Sequence, residues 1–165
     1  MRPRLLRPFP FPLNVGTDIC QISRVYGILN GPRRGRFINR ILAPEEVEQY
    51  ESRLSGGRGG VAGRTSSARD GDVKDPELWE TAAFVAGRFA AKEAAIKAHS
   101  HRRLTFHDVV VERRAGSNEH QLGSGPPVAR IRAEAGMEED VSALISISHD
   151  GDYATAVCIA HVAGP

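Results

Sequence analysis

Glu93 and Lys97 stand four residues apart in the run Phe89-Ala90-Ala91-Lys92-Glu93-Ala94-Ala95-Ile96-Lys97-Ala98-His99, so a helix there places an acid and a base one turn apart. A second carboxylate, Asp18, closes Val15-Gly16-Thr17-Asp18 near the start of the chain, and His149 closes Ser146-Ile147-Ser148-His149 near its end. Two carboxylates are hard oxygen ligands suited to magnesium, which takes few protein ligands and completes its octahedron with water and substrate phosphates. Arg88, Lys92 and Lys97 on the same helix, with His99, His101, Arg102 and Arg103 just beyond it, are cations that can surround a phosphorylated ligand. The same residues have plainer uses. Glu93 and Lys97 can form an ordinary helix ion pair worth about 0.2–0.5 kcal/mol, Asp18 can cap a turn, and His149 can be a satisfied hairpin residue.

The elements that must position these groups follow from periodicity. A first strand is expected over Leu13 to Asp18, with Gly16 allowing its backbone a close approach to something. Arg24 and the basic stretch Arg33, Arg34, Arg36, Arg40 follow, and a helix over Arg36 to Leu42 places Arg36 and Arg40 on one face. Pro44-Glu45-Glu46 reads as a helix start, with the acids at the positive dipole end and Val47, Tyr50 and Leu54 as the apolar stripe. The main helix is expected from Pro76-Glu77 to about Lys97 or Ala98, which sets Glu93 at the margin of an apolar face formed by Ala82, Val85, Ala86, Phe89, Ala90 and Ile96. Strands are expected over His107 to Arg113, Pro127 to Ala133 and Ala143 to His149, the last paired with Tyr153 to His161 through Asp150-Gly151-Asp152. In that hairpin Ile145, Ile147 and His149 share a face. A long helix and a small, mostly antiparallel sheet define an α+β domain.

Composition narrows the function classes. The 165 residues suit one globular domain, and 22 basic against 20 acidic residues give a net charge of only +2, so anion binding has to come from local clusters. Cys20 and Cys158 lie far apart and belong to no CxxC pair, so neither a disulfide framework nor a thiolate zinc site is indicated and both read as small core residues. No apolar run reaches the roughly 20 residues that span a bilayer. Residues 1–12 form a basic, proline-rich leader, in which Arg2, Arg4 and Arg7 give the charge bias of an import signal while the prolines forbid a long helix. From about 55 to 74 the composition turns to Gly, Ser, Arg and Asp, the mark of a flexible surface insertion. An RGG-like nucleic-acid segment is the sharper reading of that stretch, but it lacks interleaved aromatics.

Taken in order, Val15-Gly16-Thr17-Asp18, Gly87-Arg88-Phe89-Ala90-Ala91-Lys92-Glu93-Ala94-Ala95-Ile96-Lys97 and Ser146-Ile147-Ser148-His149 followed by Tyr153-Ala154 resemble the motifs of the 4'-phosphopantetheinyl transferases, in the short single-domain branch of the holo-acyl-carrier-protein synthases. Arg36-Phe37, Ile41-Leu42-Ala43-Pro44-Glu45-Glu46 and Leu104-Thr105-Phe106-His107-Asp108-Val109 join the resemblance, which covers most of the chain apart from the leader and the insertion. It implies a domain over 13–163 that moves the phosphopantetheine arm of coenzyme A to a serine of an apo acyl carrier protein and releases 3',5'-ADP. By position, Asp18 and Glu93 bind Mg2+, Glu93 accepts the serine proton, and Lys97 stabilises the phosphate charge. Coenzyme A contacts are implied for Arg88, Phe89, Lys92, Lys97, His101, Arg102, Ser148 and His149, and carrier-protein contacts for Arg24, Arg36 and Arg40.

The resemblance also implies a homotrimer with shared sites. Through the leader and insertion it implies a mitochondrial protein like fungal members, with a cytoplasmic one as the alternative. One departure stands out: where the family has a glycine-rich turn after Lys97-Ala98, this chain has His99-Ser100-His101-Arg102-Arg103. Two other classes bear stating. A non-catalytic module that binds coenzyme A or a carrier protein does not need Asp18, Glu93 and Lys97 together, and nucleic-acid binding through the arginines sits poorly with near-neutral charge.

Overall fold

The structure is a computed structural model describing residues 9–56, 74–113 and 126–161. The leader through residue 8 and the insertion at 57–73 lie outside the described residues. Strand β1 (Leu13–Gln21) leads into helices α1 (Ile22–Leu29), α2 (Arg34–Ile41), α3 (Pro44–Gln49) and α4 (Glu51–Leu54). The long helix α5 (Pro76–Ala98) follows, then a 3-10 turn (Phe106–Asp108), β2 (Val109–Arg113), β3 (Pro127–Ile131), β4 (Val141–Asp150) and β5 (Tyr153–His161). The strands form one sheet in the order β1-β5-β4-β3-β2, antiparallel at every pairing, with α5 on one face. The α+β expectation holds.

Helix α5 starts where its sequence says it should. Asp75 caps it, its side chain accepting from the N–H groups of Glu77 (2.9 Å) and Leu78 (3.1 Å), and Pro76 occupies the first turn. Its buried face is largely alanine: Ala82, Ala86, Ala90, Ala91, Ala94, Ala95 and Ala98 are inaccessible to solvent. Such short side chains let the helix lie close to the strands. At Gly16 the approach is backbone to backbone, since a Cβ there would sit 2.0 Å from the Ala94 carbonyl oxygen and 2.7 Å from the Ala98 nitrogen. Gly16→Ala is therefore expected to force strand and helix apart and cost at least about 1–3 kcal/mol. Chemical denaturation followed by circular dichroism would measure that loss, and an unchanged midpoint would show that β1 and α5 tolerate a wider spacing.

Register divides the sheet into two faces. Gly16, Asp18 and Cys20 of β1, Ala154, Ala156, Cys158 and Ala160 of β5, and Ile145, Ile147 and His149 of β4 share the face under α5. Both cysteines are free and buried there, and burial pushes the Cys158 thiol up to about 11. The other face is open in the single chain, with Val15 (69 % exposed), Ile19 (63 %) and Leu144 (62 %) beside Val157 and Ile159.

Several boundaries differ from the expected ones. β1 runs on to Gln21, because β5 offers partners as far as Tyr153, so Asp18 lies within the strand and not at its end. His107 sits in the 3-10 turn, closed by the Asp108 carboxylate accepting from the Thr105 N–H and hydroxyl, both at 2.7 Å. β3 stops at Ile131, and the Ala133 N–H turns to the Asp140 carboxylate at 2.8 Å. The β4–β5 turn is the loop Gly151-Asp152, with positive φ at Gly151 (54°), its first position.

Candidate active site

Asp18 on β1 and Glu93 on α5 both act on Lys97, Asp18 through a direct bond and Glu93 through its charge. The Lys97 ammonium donates to Asp18 Oδ1 at 2.8 Å and to the Thr17 carbonyl at 3.1 Å. Its affinity for the proton is raised first by the hydrogen bond to Asp18 and further by the charges of Asp18 and Glu93. The local Glu93–Lys97 pair available to an isolated helix thus gives way to a bond with a residue 79 positions away. Asp18 Oδ2 is buried and accepts no hydrogen bond, and the half-buried Glu93 carboxylate has no hydrogen bond or ion pair among the described residues. A buried, unsatisfied carboxylate oxygen is costly. This donor set fits magnesium, which is commonly held by one or two carboxylates with the remaining positions filled by water and substrate phosphates. No three His, Cys, Asp or Glu gather for a metal among the described residues.

About 9 Å back along α5, at 1.5 Å per residue between Glu93 and Gly87, a cavity of about 520 Å³ opens between α4, α5 and the end of β4. Its basic residues are Arg53, Arg88, Arg113 and His149, against the single acid Glu80. His149 packs against Gly87, where a Cβ would come within 2.8 Å of its Nε2. That nitrogen lies 3.0 Å from the Ala83 carbonyl, which only accepts, so Nε2 carries the hydrogen and Nδ1 is the other ring nitrogen available for bonding. Arg88 is buried, donating to the Val111 carbonyl (3.1 Å) and the Tyr50 hydroxyl (2.9 Å), and burial pulls its pKa down from the ordinary arginine value.

Two of the residues implied as coenzyme contacts lie away from this cavity in the chain. Lys92 is fully buried, paired with Glu46 and donating to the Phe106 carbonyl at 2.9 Å, so its ammonium cannot reach a ligand in the cleft. Glu46 is buried too, its other bonds coming from the N–H groups of Ala43 (2.9 Å) and Val111 (3.1 Å). Burial lowers the Lys92 pKa, and the Glu46 carboxylate opposes that. Ser148 points to the open face of the sheet, opposite to His149, so one chain cannot bring both into one pocket.

Phe89 packs on Phe106 (5.4 Å between centroids), with the Arg24 guanidinium 5.9 Å from its ring. Beyond α5, His99 is buried, donating from Nδ1 to the Ala95 carbonyl at 2.7 Å. His101 lies exposed beside it, and Arg102 pairs with Glu134 at 3.1 Å. Neither joins the cationic cavity. Arg36 and Arg40 are exposed on α2. Sequence reasoning missed Arg53, Tyr50 and the pairing of Glu46. A glutamate at the third position of a helix is a capping-box signal that would have drawn attention to Glu46.

The family model for the 4'-phosphopantetheinyl transferase superfamily matches residues 14–158. The chain belongs to that superfamily, a family of enzymes. Among its relatives, 4'-phosphopantetheinyl transferase B, mitochondrial, of Aspergillus fumigatus is 35% identical over 161 residues, covering 94% of this chain and 97% of that protein. The holo-[acyl-carrier-protein] synthase of Ralstonia nicotianae is 32% identical, covering 90% of this chain and 91% of that protein. The fold is shared with the ADP-bound acyl carrier protein synthase of Plasmodium yoelii, with a TM-score of 0.59 at 23% identity over 92% of this chain and 96% of that one.

Proposed function

We propose that this chain is a magnesium-dependent holo-acyl-carrier-protein synthase, which transfers 4'-phosphopantetheine from coenzyme A to a serine of an apo carrier protein and releases 3',5'-ADP. The observation that carries this reading is the Asp18–Lys97–Glu93 cluster beside a cationic cavity on the same helix. In the reaction the serine oxygen forms a bond to the phosphorus nearer the pantetheine, the bond from that phosphorus to 3',5'-ADP breaks, and the serine proton passes to Glu93 directly or through a water. Lys97, whose side chain is 51 % exposed, turns its ammonium toward the phosphate charge that builds on the transferring and departing groups. Asp18 and Glu93 would hold Mg2+, which when bound supplies neutralisation of the diphosphate charge.

The partners follow from the surface. Arg24 on α1 and Arg36 and Arg40 on α2 are exposed and available to an acidic carrier protein, for which opposite charge raises encounter rate and fixes orientation. The apolar open face of the sheet supports a homotrimer, because an exposed patch of this kind is normally an interface. The name of the Aspergillus fumigatus relative and the Arg-rich leader support a mitochondrial location. We keep 1–12 as leader and 13–163 as the catalytic unit, with the insertion at 55–74 a peripheral addition to it. No helix among the described residues is long and apolar enough to cross a membrane.

Mass spectrometry of a purified apo acyl carrier protein incubated with this protein, coenzyme A and Mg2+ tests the reading. A gain of one phosphopantetheine that a chelator abolishes is expected. Absence of any gain with several carriers, alongside measurable coenzyme A binding, would make the chain a binding module.

A further inference from the structure

We propose that Asp152, in the turn between β4 and β5, is a positioning residue for carrier-protein recognition, capping α1 from outside and so holding Arg24 in place. The inference rests on the function proposed above. Helix α1 cannot close its own start. Its N-cap residue, Gln21, makes no side-chain cap bond, and its first turn holds no acid. With only eight residues it is also shorter than the roughly 12–15 that an isolated helix needs to persist in water.

Asp152 supplies what the helix lacks. Its carbonyl accepts from the Ile22 N–H at 2.8 Å and its Oδ1 from the Ser23 N–H at 2.8 Å. Its Oδ2 accepts from the Ser23 hydroxyl at 2.7 Å and from the Gln21 amide at 2.8 Å. Two of the four N–H groups that a helix start leaves open are thus satisfied by one residue, 129 positions away from Ser23. The carboxylate also sets negative charge at the positive end of the α1 dipole. The hydrogen bonds from Ser23, and then from Gln21, hold the Asp152 carboxyl below the usual carboxylate range, which keeps it ionised at neutral pH.

Arg24 follows Ser23 directly, so the capped turn is the one that aims it. Its guanidinium reaches Cys20 Sγ at 3.7 Å and lies 5.9 Å from the ring of Phe89, one helical turn before Glu93. The buried side of α1 is anchored independently. Ile22, Val25 and Leu29 sit in the core, and the Tyr26 hydroxyl accepts from the Asp75 N–H at 3.0 Å at the start of α5. On the outer side of the first turn, Ser23 is held by Asp152. Loss of that clasp therefore loosens the turn that presents Arg24 and spares the core beneath it.

Asp152→Ala removes the carboxylate bonds and leaves the carbonyl that receives the Ile22 N–H. Steady-state transfer is measured with apo carrier protein varied at saturating coenzyme A, and with coenzyme A varied at saturating carrier. We expect KM for the carrier to rise about 3- to 10-fold, as for loss of a helix cap, because apparent affinity falls with the share of chains whose first turn is closed. The kcat and the KM for coenzyme A should match the wild type. Asp152→Asn keeps an acceptor for the Ser23 N–H without the charge and should fall between them; it carries the test if Asp152→Ala does not fold. In an Arg24→Ala background Asp152→Ala should add little, since a residue that acts through Arg24 then has nothing to position. An unchanged carrier KM, an equal rise in both KM values, or full additivity with Arg24→Ala would overturn the role of Asp152 and leave the transferase reading standing. A wild type that transfers nothing overturns the transferase reading instead, and calorimetric binding of the apo carrier then decides on Asp152 by itself: undiminished binding by the variant, or no binding by the wild type, refutes it.

Discussion

Glu93→Gln is expected to leave the fold intact and lower phosphopantetheine transfer by about 10²- to 10⁴-fold, the range for losing a positioned general base. Glutamine matches glutamate in size and can still sit half-buried at the margin of α5, so packing against β1 is preserved. What is lost, on the mechanism proposed above, is the acceptor for the serine proton, together with one of the two carboxylate charges acting on Lys97. Titration with Mg2+ should show weakened saturation, while carrier-protein binding, a matter of α1 and α2 on this reading, stays as in the wild type. Transfer at the wild-type rate would remove Glu93 from the mechanism.

The second large effect concerns stability. Lys92→Met or Glu46→Gln leaves a buried charge without its counter-charge, and breaking such a pair costs about 3–5 kcal/mol. Glu46 also satisfies the Ala43 and Val111 N–H groups, so the damage reaches the start of α3 and strand β2 as well as α5. The paired variant Glu46→Gln with Lys92→Met removes both charges of the pair and should recover most of the loss, because the amide oxygen can still accept from one of those N–H groups. Urea denaturation of the three variants measures this. In the folded fraction of Lys92→Met, KM for coenzyme A should match the wild type. A raised KM would return Lys92 to the coenzyme site from which its burial excludes it.

What could be read from the sequence was local. Pro76 after Asp75, the alanine periodicity of α5 and the Asp-Gly signal before Tyr153 each act over a few residues, and the elements they predict are present. The glycine at 16 announced a close approach, and the backbone of α5 is what approaches it. The site was legible as a set of residues but not as a set of contacts. Lys92 lies on the same helix as Arg88 and Lys97 and has the same chemistry. Its fate is decided by Glu46, a residue 46 positions earlier that helix-start reasoning treated as a complement to the dipole. Lys97 likewise has a good local partner and takes a distant one. Arg53 carried no signal of its own, since its place over Phe84 depends on bonds from Thr81 and Arg34 to the surrounding turn.

The alanine face of α5 changes how such a site can be interrogated. Along that face from Ala82 to Ala98 alanine scanning has almost nothing to delete, so the standard experiment would return silence from the surface that sets the spacing between Asp18 and Glu93. A scan that adds volume, alanine to serine, cysteine or valine, is the informative one. It would report, position by position, how much separation of strand and helix the two carboxylates can absorb before they stop acting together.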